Sequence, residues 1–192
     1  MTVSTPIDRS GIGTLPDVTG LSNADAALAY AGAGVCVVPV RPGTKDPGSY
    51  IGKGWQYRAT SDLEVVRSWW NRWPDAGIAM HVGASGFLVI DVDHPEHVPP
   101  WLWPLLATAI FRPTTDDPFS KRGHYFFALQ SGQRFGNGLG KLKTAKGRAW
   151  GEIRCWGGAL IVGPSVHPRA NEGGHYSTSP GGVAAGLPEE IA

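Results

Sequence analysis

Two periods of apolar and polar residues organise the chain. Residues 1–21 show neither; they are rich in Gly, Pro, Ser and Thr and read as a loose lead-in to a single folded domain over 22–192. Ser22 with Asp25 resembles a capping box and opens a short helix through Ala26, Ala27, Leu28, Tyr30 and Ala31 that stops at Gly32 and Gly34. Val35 to Val40 is the first predicted strand. A Pro/Gly-rich loop, Arg41 to Gly54, follows with Lys45 and Lys53, and Trp55 closes it. Ser61 with Glu64 forms a second capping box, and Leu63, Val66, Trp70 and Trp73 recur at helical spacing up to Pro74, which makes those aromatic residues core. Gly77 to Val82 is a second strand.

The next segment, GFLVIDVDHPEH from Gly86 to His97, carries the strongest signal. An apolar run from Phe87 to Ile90 continues at Val92, encloses Asp91, reaches Asp93 and is broken by His94-Pro95. Such a run, bounded by Gly and Pro, predicts a strand buried on both faces and therefore central in its sheet. Beyond it, Pro99 to Thr108 is a short helix candidate and Ala109 to Arg112 a strand end. Thr114 to Gly123 is a turn-rich loop, and His124 to Leu129 is a strand on which His124, Phe126 and Ala128 share a face. Residues 130–147 read as a basic Gly-rich loop. Trp150 to Cys155 and Ala159 to Val162 then read as a hairpin around Trp156-Gly157-Gly158, with Trp150, Glu152 and Arg154 on one face and Ile153 and Cys155 on the other. The order helix, strand, helix, strand, strand is an α/β layout.

Composition narrows the class. With 192 residues, 42% hydrophobic, and eight Trp, the chain can bury one good core or two small modules sharing one. No apolar run reaches about eighteen residues, and no basic start leads into an apolar stretch, so neither a membrane span nor a secretory signal is expected. Cys36 and Cys155 lie inside apolar strand-like runs, as suits reduced core residues of a cytoplasmic protein, and two cysteines are too few for a structural zinc site of several Cys. The net charge is only +1, but it is unevenly spread. Met1 to Phe111 holds 7 basic and 10 acidic residues, Arg112 to Arg154 holds 9 and 3, and Cys155 to Ala192 holds 1 and 3. The middle third therefore carries a positive field, suited to a polyanion or simply to a solvated loop.

Asp91 and Asp93 point the same way along their strand, roughly 7 Å apart. Two like charges about 4 Å apart repel by about 4 kcal/mol at an effective dielectric near 20, and burial adds to that cost. A divalent cation between them relieves it; a turn cap or an arginine partner would also serve. Glu152, within a strand, is a third candidate ligand, although such a residue is more often exposed or paired with Arg.

The ordered set VIDVDHP, SKRGHYFF, GEIRCWGGALIVGPSVHP and GGHY, preceded by AYAGAGVCVVPVRPGTKDP, Gly54-Trp55 and the Trp-rich helix, is similar to the prim-pol group of the archaeo-eukaryotic primase superfamily. The likeness spans roughly residues 24–190. Members are bifunctional primase/polymerase domains, often fused in front of helicases in phage and plasmid replication proteins. The resemblance implies an α/β (α+β) fold in which an N-terminal α/β module packs on a module similar to an RNA-recognition motif, with the active site between their sheets. It implies template-directed DNA priming or extension by two-metal nucleotidyl transfer, with Mg2+ or Mn2+, (d)NTPs, and single-stranded or primed DNA. Asp91, Asp93 and Glu152 match the metal-binding and catalytic acids. His124 matches the histidine of the small-x-His motif and would contact nucleotide phosphates; Arg122 occupies the small position, and Ser120 and Lys121 precede it. Arg154, and Ser165 and His167 of the Pro-Ser-x-His segment starting at Pro164, complete the implied nucleotide pocket.

The residue types make chemical sense together. Three carboxylates and phosphates supply the oxygen ligands that magnesium requires, while Lys121, Arg122, Arg154 and the two histidines would balance phosphate charge. The basic loop, with Arg134, Lys141, Lys143, Lys146 and Arg148, would track a nucleic-acid backbone; Lys141, Lys143 and Lys146 are the expected DNA contacts. Two other classes fit part of the pattern. A nucleotide-sugar glycosyltransferase also uses a metal-binding Asp-x-Asp, but gives no reason for His124 or the basic middle third. A non-catalytic DNA-binding replication module would need no metal.

Overall fold

The computed structural model describes residues 13–115, 117, 119–167 and 174–189, and for 139–141 the backbone alone. The N-terminal segment differs from expectation over 13–21. Thr14–Leu15 forms a short strand, β1, and Leu15 and Val18 are fully buried, because two apolar side chains are enough to seat an otherwise aperiodic segment on the core. Helix α1, Asn23–Gly32, starts at Ser22, whose hydroxyl accepts the Asp25 N–H at 3.1 Å, and buries Ala26, Ala27, Tyr30 and Ala31. Strand β2, Val37–Val40, follows.

Helix α2, Leu63–Arg72, is capped by Asp62 rather than Ser61; its carboxylate accepts the N–H groups of Glu64 and Val65. Val66 and Trp70 are buried, and the Trp70 indole N–H donates to the Ala76 carbonyl at 3.0 Å, which closes the helix onto strand β3, Gly77–His81. Leu63, the first residue of the helix, is 43% exposed. Trp73 stacks on Tyr50 of the long loop with centroids 4.7 Å apart.

The aspartate strand is β4, Phe87–Val92. A short turn of α-helix, α3 (Trp103–Leu106), leads to β5, Ile110–Pro113, and β6, Gly123–Ala128; then come β7, Gly138–Lys143, β8, Ala149–Arg154, β9, Ala159–Val162, and β10, Gly182–Val183. Five antiparallel strands order as β5-β6-β4-β8-β7, so β4 is central as its apolar run predicts. A second sheet orders as β2-β3-β9, and β1 pairs with β10. The result is a mixed α/β fold with few helices and several antiparallel sheets.

Both faces of β4 are covered. Phe87 and Val89 join the largest cluster with α1, α2, β3 and Phe126, whereas Leu88, Ile90 and Val92 pack with Leu102, Leu106, Tyr125, Phe127 and Trp150. Trp150 thus departs from the face expected for Glu152 and Arg154. The reason lies at the strand end, where Asp93 and His94 both donate their N–H to the Trp150 carbonyl and the regular ladder stops.

Two further expectations are corrected. The basic segment 130–147 is not all loop: β7 adds an edge strand to β8, irregular in register at Leu142, which turns inward. The Trp156-Gly157-Gly158 turn does not join a hairpin either, because β8 lies in the five-stranded sheet and β9 pairs with β3. The chain switches sheets there: the segment before β4 serves both sides, with Val82 N–H donating to the Gly158 carbonyl and Gly83 N–H to the Cys155 carbonyl. The sheet carrying the N-terminal strands β2 and β3 therefore borrows its third strand from late in the chain.

Candidate active site

One register row crosses four strands of the five-stranded sheet. Arg112 of β5 stands opposite His124 of β6, His124 opposite Asp91 of β4, and Asp91 opposite Glu152 of β8. Directly opposed residues of antiparallel strands share a face, with Cβ atoms about 5 Å apart. Glycines allow this spacing, since a Cβ at Gly151 would press into the Asp91 carbonyl and one at Gly123 into the Arg112 carbonyl.

Each member of the row has a distinct environment. Arg112 is 3% exposed and points inward, where its guanidinium donates to the Tyr30 hydroxyl at 2.6 Å and the Pro16 carbonyl at 2.6 Å. His124 is buried, and its Nε2 lies 3.6 Å from an Asp91 carboxylate oxygen. Burial holds the imidazole below its ordinary pKa; the Asp91 carboxylate opposes that shift, and Lys45 and Arg154 reinforce it. Burial thus favours the uncharged form of the ring beside Asp91. Glu152 makes a close ion pair with Arg154, two residues along β8, and Asp93, just past the end of β4, lies 3.7 Å from the Arg122 guanidinium.

Asp91, Asp93, Arg122, His124 and Arg154 line a cavity of about 230 Å³ together with Lys45. Its far wall includes Ala159, Leu160 and Ile161 of β9, so side chains from both larger sheets border it. Thr114, Tyr176 and His167 complete the lining; the Tyr176 and His167 rings lie 4.7 Å apart, and Tyr176 stacks near-parallel to His124 at 6.5 Å. The Nε atoms of Arg122 and Arg154 are buried with no hydrogen-bond partner among the described residues. Two orphaned cationic donors beside a carboxylate pair suit an anionic, polyoxygen ligand.

The expected residues divide between the cavity and elsewhere. Ser165 is 1% exposed, and its hydroxyl accepts the Ile78 N–H at 2.7 Å, so it pins β3 to the segment after β9 and does not line the cavity. Ser120 accepts the Arg122 N–H at 3.1 Å, which shapes the loop, and Lys121 places its ammonium 4.5 Å from the Trp103 ring centroid. Neither reaches the cavity lining. Lys143 and Lys146 are exposed at and beyond the end of edge strand β7, while the side chain of Lys141 lies outside the described residues. Lys45, Thr114 and Tyr176 line the cavity without having been assigned to the site from sequence. The GTKDP and GGHY segments were the available signals, but a loop lysine and a lone tyrosine carry no period to place them.

As a metal site, the donor chemistry fits and the present rotamers are only partly assembled. Asp91 and Asp93 offer hard oxygen ligands to one polar cavity; Glu152 is in register with Asp91 but does not line that cavity. Their ligand atoms do not gather within 4.8 Å of one another; among the described residues, the trio that does is His94, Glu96 and His97.

Cys36 and Cys155 form no disulfide, and among the described residues no helix is long and apolar enough to cross a membrane. No curated protein matches the chain. The sequence model of the bifunctional DNA primase/polymerase N-terminal domain matches residues 27–190, most of the chain, including every residue of the cavity described above. The chain belongs to the Prim-Pol family.

Proposed function

We propose that the cavity between the two larger sheets is a template-directed DNA primase/polymerase centre, acting in phage or plasmid replication. In this reading the five-stranded sheet is the module similar to an RNA-recognition motif. Family membership supports a nucleotidyltransferase of the DNA primase/polymerase type with DNA and nucleotide substrates. The observation that carries the reading is the charge pattern of one cavity: Asp91 and Asp93 face Lys45, Arg122, Arg154 and His124.

The reaction joins the primer 3′-oxygen, or that of an initiating nucleotide, to the α-phosphorus of a (d)NTP. The hydroxyl proton is lost, and the bond to the bridging oxygen breaks to release pyrophosphate. Asp91 and Asp93, with Glu152 beside them, would hold two Mg2+ or Mn2+ ions, which when bound promote loss of the hydroxyl proton and offset charge on the leaving group. Arg122 and Arg154 would turn their unsatisfied Nε donors, and Lys45 its ammonium, to phosphoryl oxygens. A neutral His124 adds an N–H donor without competing for the carboxylates as a cation. Release of Arg154 toward phosphate would free Glu152 to turn toward Asp91, which couples nucleotide arrival to assembly of the acid trio. Lys141, Lys143 and Lys146 would meet template or primer backbone, and a fused or associated replicative helicase would keep the domain on its template.

Labelled-nucleotide incorporation on a primed DNA template, with Mg2+ or Mn2+ and then with chelator, tests this. Templated, chelator-sensitive incorporation is the expected result. Sugar release from a nucleotide-sugar donor without incorporation would assign the glycosyltransferase chemistry instead, and DNA binding with no incorporation under any nucleotide set would leave a non-catalytic module.

A further inference from the structure

The turn after Asp93 carries a cluster that the nucleotidyl-transfer reading does not use. His94-Pro95-Glu96-His97 forms a short 3-10 turn with Pro95 at its first position. His94 Nδ1 lies 3.3 Å from a Glu96 carboxylate oxygen and His97 Nδ1 lies 4.0 Å from it, and one ligand atom from each of the three residues lies within 4.8 Å of the others. We propose that His94, Glu96 and His97 bind a zinc-class transition-metal dication at a position separate from the Asp91/Asp93 cavity.

Geometry and donor type carry the proposal. Zinc sits about 2.0–2.2 Å from imidazole nitrogen and carboxylate oxygen, so the ligand-to-ligand edge of a tetrahedral site is roughly 3.3–3.6 Å. The His94–Glu96 separation is already at that edge, and rotation of exposed side chains closes the remainder. The His94 and Glu96 side chains are 56% and 62% exposed, which leaves room for a fourth ligand from water, whereas His97 at 28% is partly sheltered; its Nδ1 lies 3.4 Å from the Ala149 carbonyl, so zinc binds either through Nδ1 released from that contact or through Nε2. Two imidazoles with one carboxylate favour zinc, nickel, cobalt or copper over magnesium, while the aspartate pair of the cavity offers only hard oxygen. The two positions therefore select different ions. They are also mechanically joined, because the N–H groups of Asp93 and His94 share the Trp150 carbonyl. A metal at the turn would stiffen the segment that presents Asp93.

Calorimetric titration of the full chain with Zn2+, in excess Mg2+, reads the site without reference to polymerase activity. The expected result is one zinc per chain, retained in Asp91→Asn/Asp93→Asn and weakened by more than roughly tenfold in His94→Ala and in His97→Ala, since even changes to outer-shell partners cost about 10–100-fold. Cobalt should give a four-coordinate visible spectrum that the histidine variants lose. His94→Gln, a closer match in size, serves as the check on folding, with its melting curve compared to the parent chain. Zinc affinity unchanged in the histidine variants, or lost only in the double aspartate variant, would overturn the proposal and leave a hydrogen-bonded His-Glu-His turn only.

Discussion

Asp91 lies between two side chains of opposite character, His124 on β6 and Glu152 on β8. The repulsion expected between neighbouring carboxylates is met by Arg154 on Glu152 and by Arg122 on Asp93. The arginine-partner alternative to a metal thus describes these two acids as they stand, whereas among the described residues the ionic contact of Asp91 is with the His124 imidazole at 3.6 Å. In the proposed mechanism the two arginines exchange carboxylate for phosphate. Replacing His124 by Gln, which keeps an N–H donor, should leave nucleotide affinity close to the parent value. His124→Ala should weaken it by about tenfold or more, since hydrogen bonds to charged groups contribute about 1.5–3 kcal/mol. Equilibrium titration with a non-hydrolysable nucleotide checks this, and equal affinities for the parent, Gln and Ala proteins would make His124 a packing residue. The aspartates were legible because a strand buried on both faces has few reasons to carry carboxylates. Lys45 and Tyr176 were not, since their place depends on where a loop folds back in space. Ser165 fits its motif and yet bonds the backbone of Ile78, a contact that no local spacing reveals.

At the scale of elements, the strands β4, β6 and β8 set the spacing of the site. Gly151 lets β8 approach β4, and a side chain there would strike the Asp91 carbonyl. Gly151→Ala should cost about 1–3 kcal/mol by overpacking, seen as a lower denaturation midpoint, and should reduce activity because the strand that must yield carries Asp91. A variant with full stability and full activity would show that the sheet tolerates the shift. The two long helices were readable from caps and helical spacing, and the central strand from its bounded apolar run. Strand β7 was not, because Gly138 and Gly140 have low strand propensity and its pairing comes from β8. The sheet switch after β8 was hidden for a related reason: Trp156-Gly157-Gly158 has hairpin chemistry, but the segment 82–83 captures the carbonyls on both sides of the turn.

Charge and protonation act on the molecule as a whole. His81, packed between Trp55 and Trp156, accepts the Ala84 N–H on Nδ1 at 3.0 Å, and burial pushes its pKa below the ordinary 6.5. A lowered histidine pKa leaves stability intact above pH 6.5 and removes it as the pH falls toward the folded-state value, since only the unfolded chain takes up the proton. His81→Asn, which keeps an acceptor for Ala84, should flatten that acid-side loss in a series of denaturant melts; an unchanged slope would place the titration elsewhere. The positive middle third of an almost neutral chain predicts few, local phosphate contacts. With about three to five phosphates neutralised on single-stranded DNA, log affinity should fall against log salt with a slope of roughly −2 to −3.5. Replacing Lys141, Lys143 and Lys146 together by Ala should make that slope shallower and cut extension. An unaltered slope would move the template path away from β7.

Nucleotidyl transfer at Asp91 and its neighbours, as proposed, is tested most directly by single-turnover extension of a labelled primer by the parent protein and by Asp91→Asn. Asn keeps the size of the side chain and removes its charge, so the melting temperature should stay close to that of the parent. The parent should show metal-dependent, templated extension, and the variant a rate lower by at least about a hundredfold, the scale of losing one electrostatic stabiliser. Extension at the parent rate by a folded Asp91→Asn protein would contradict it.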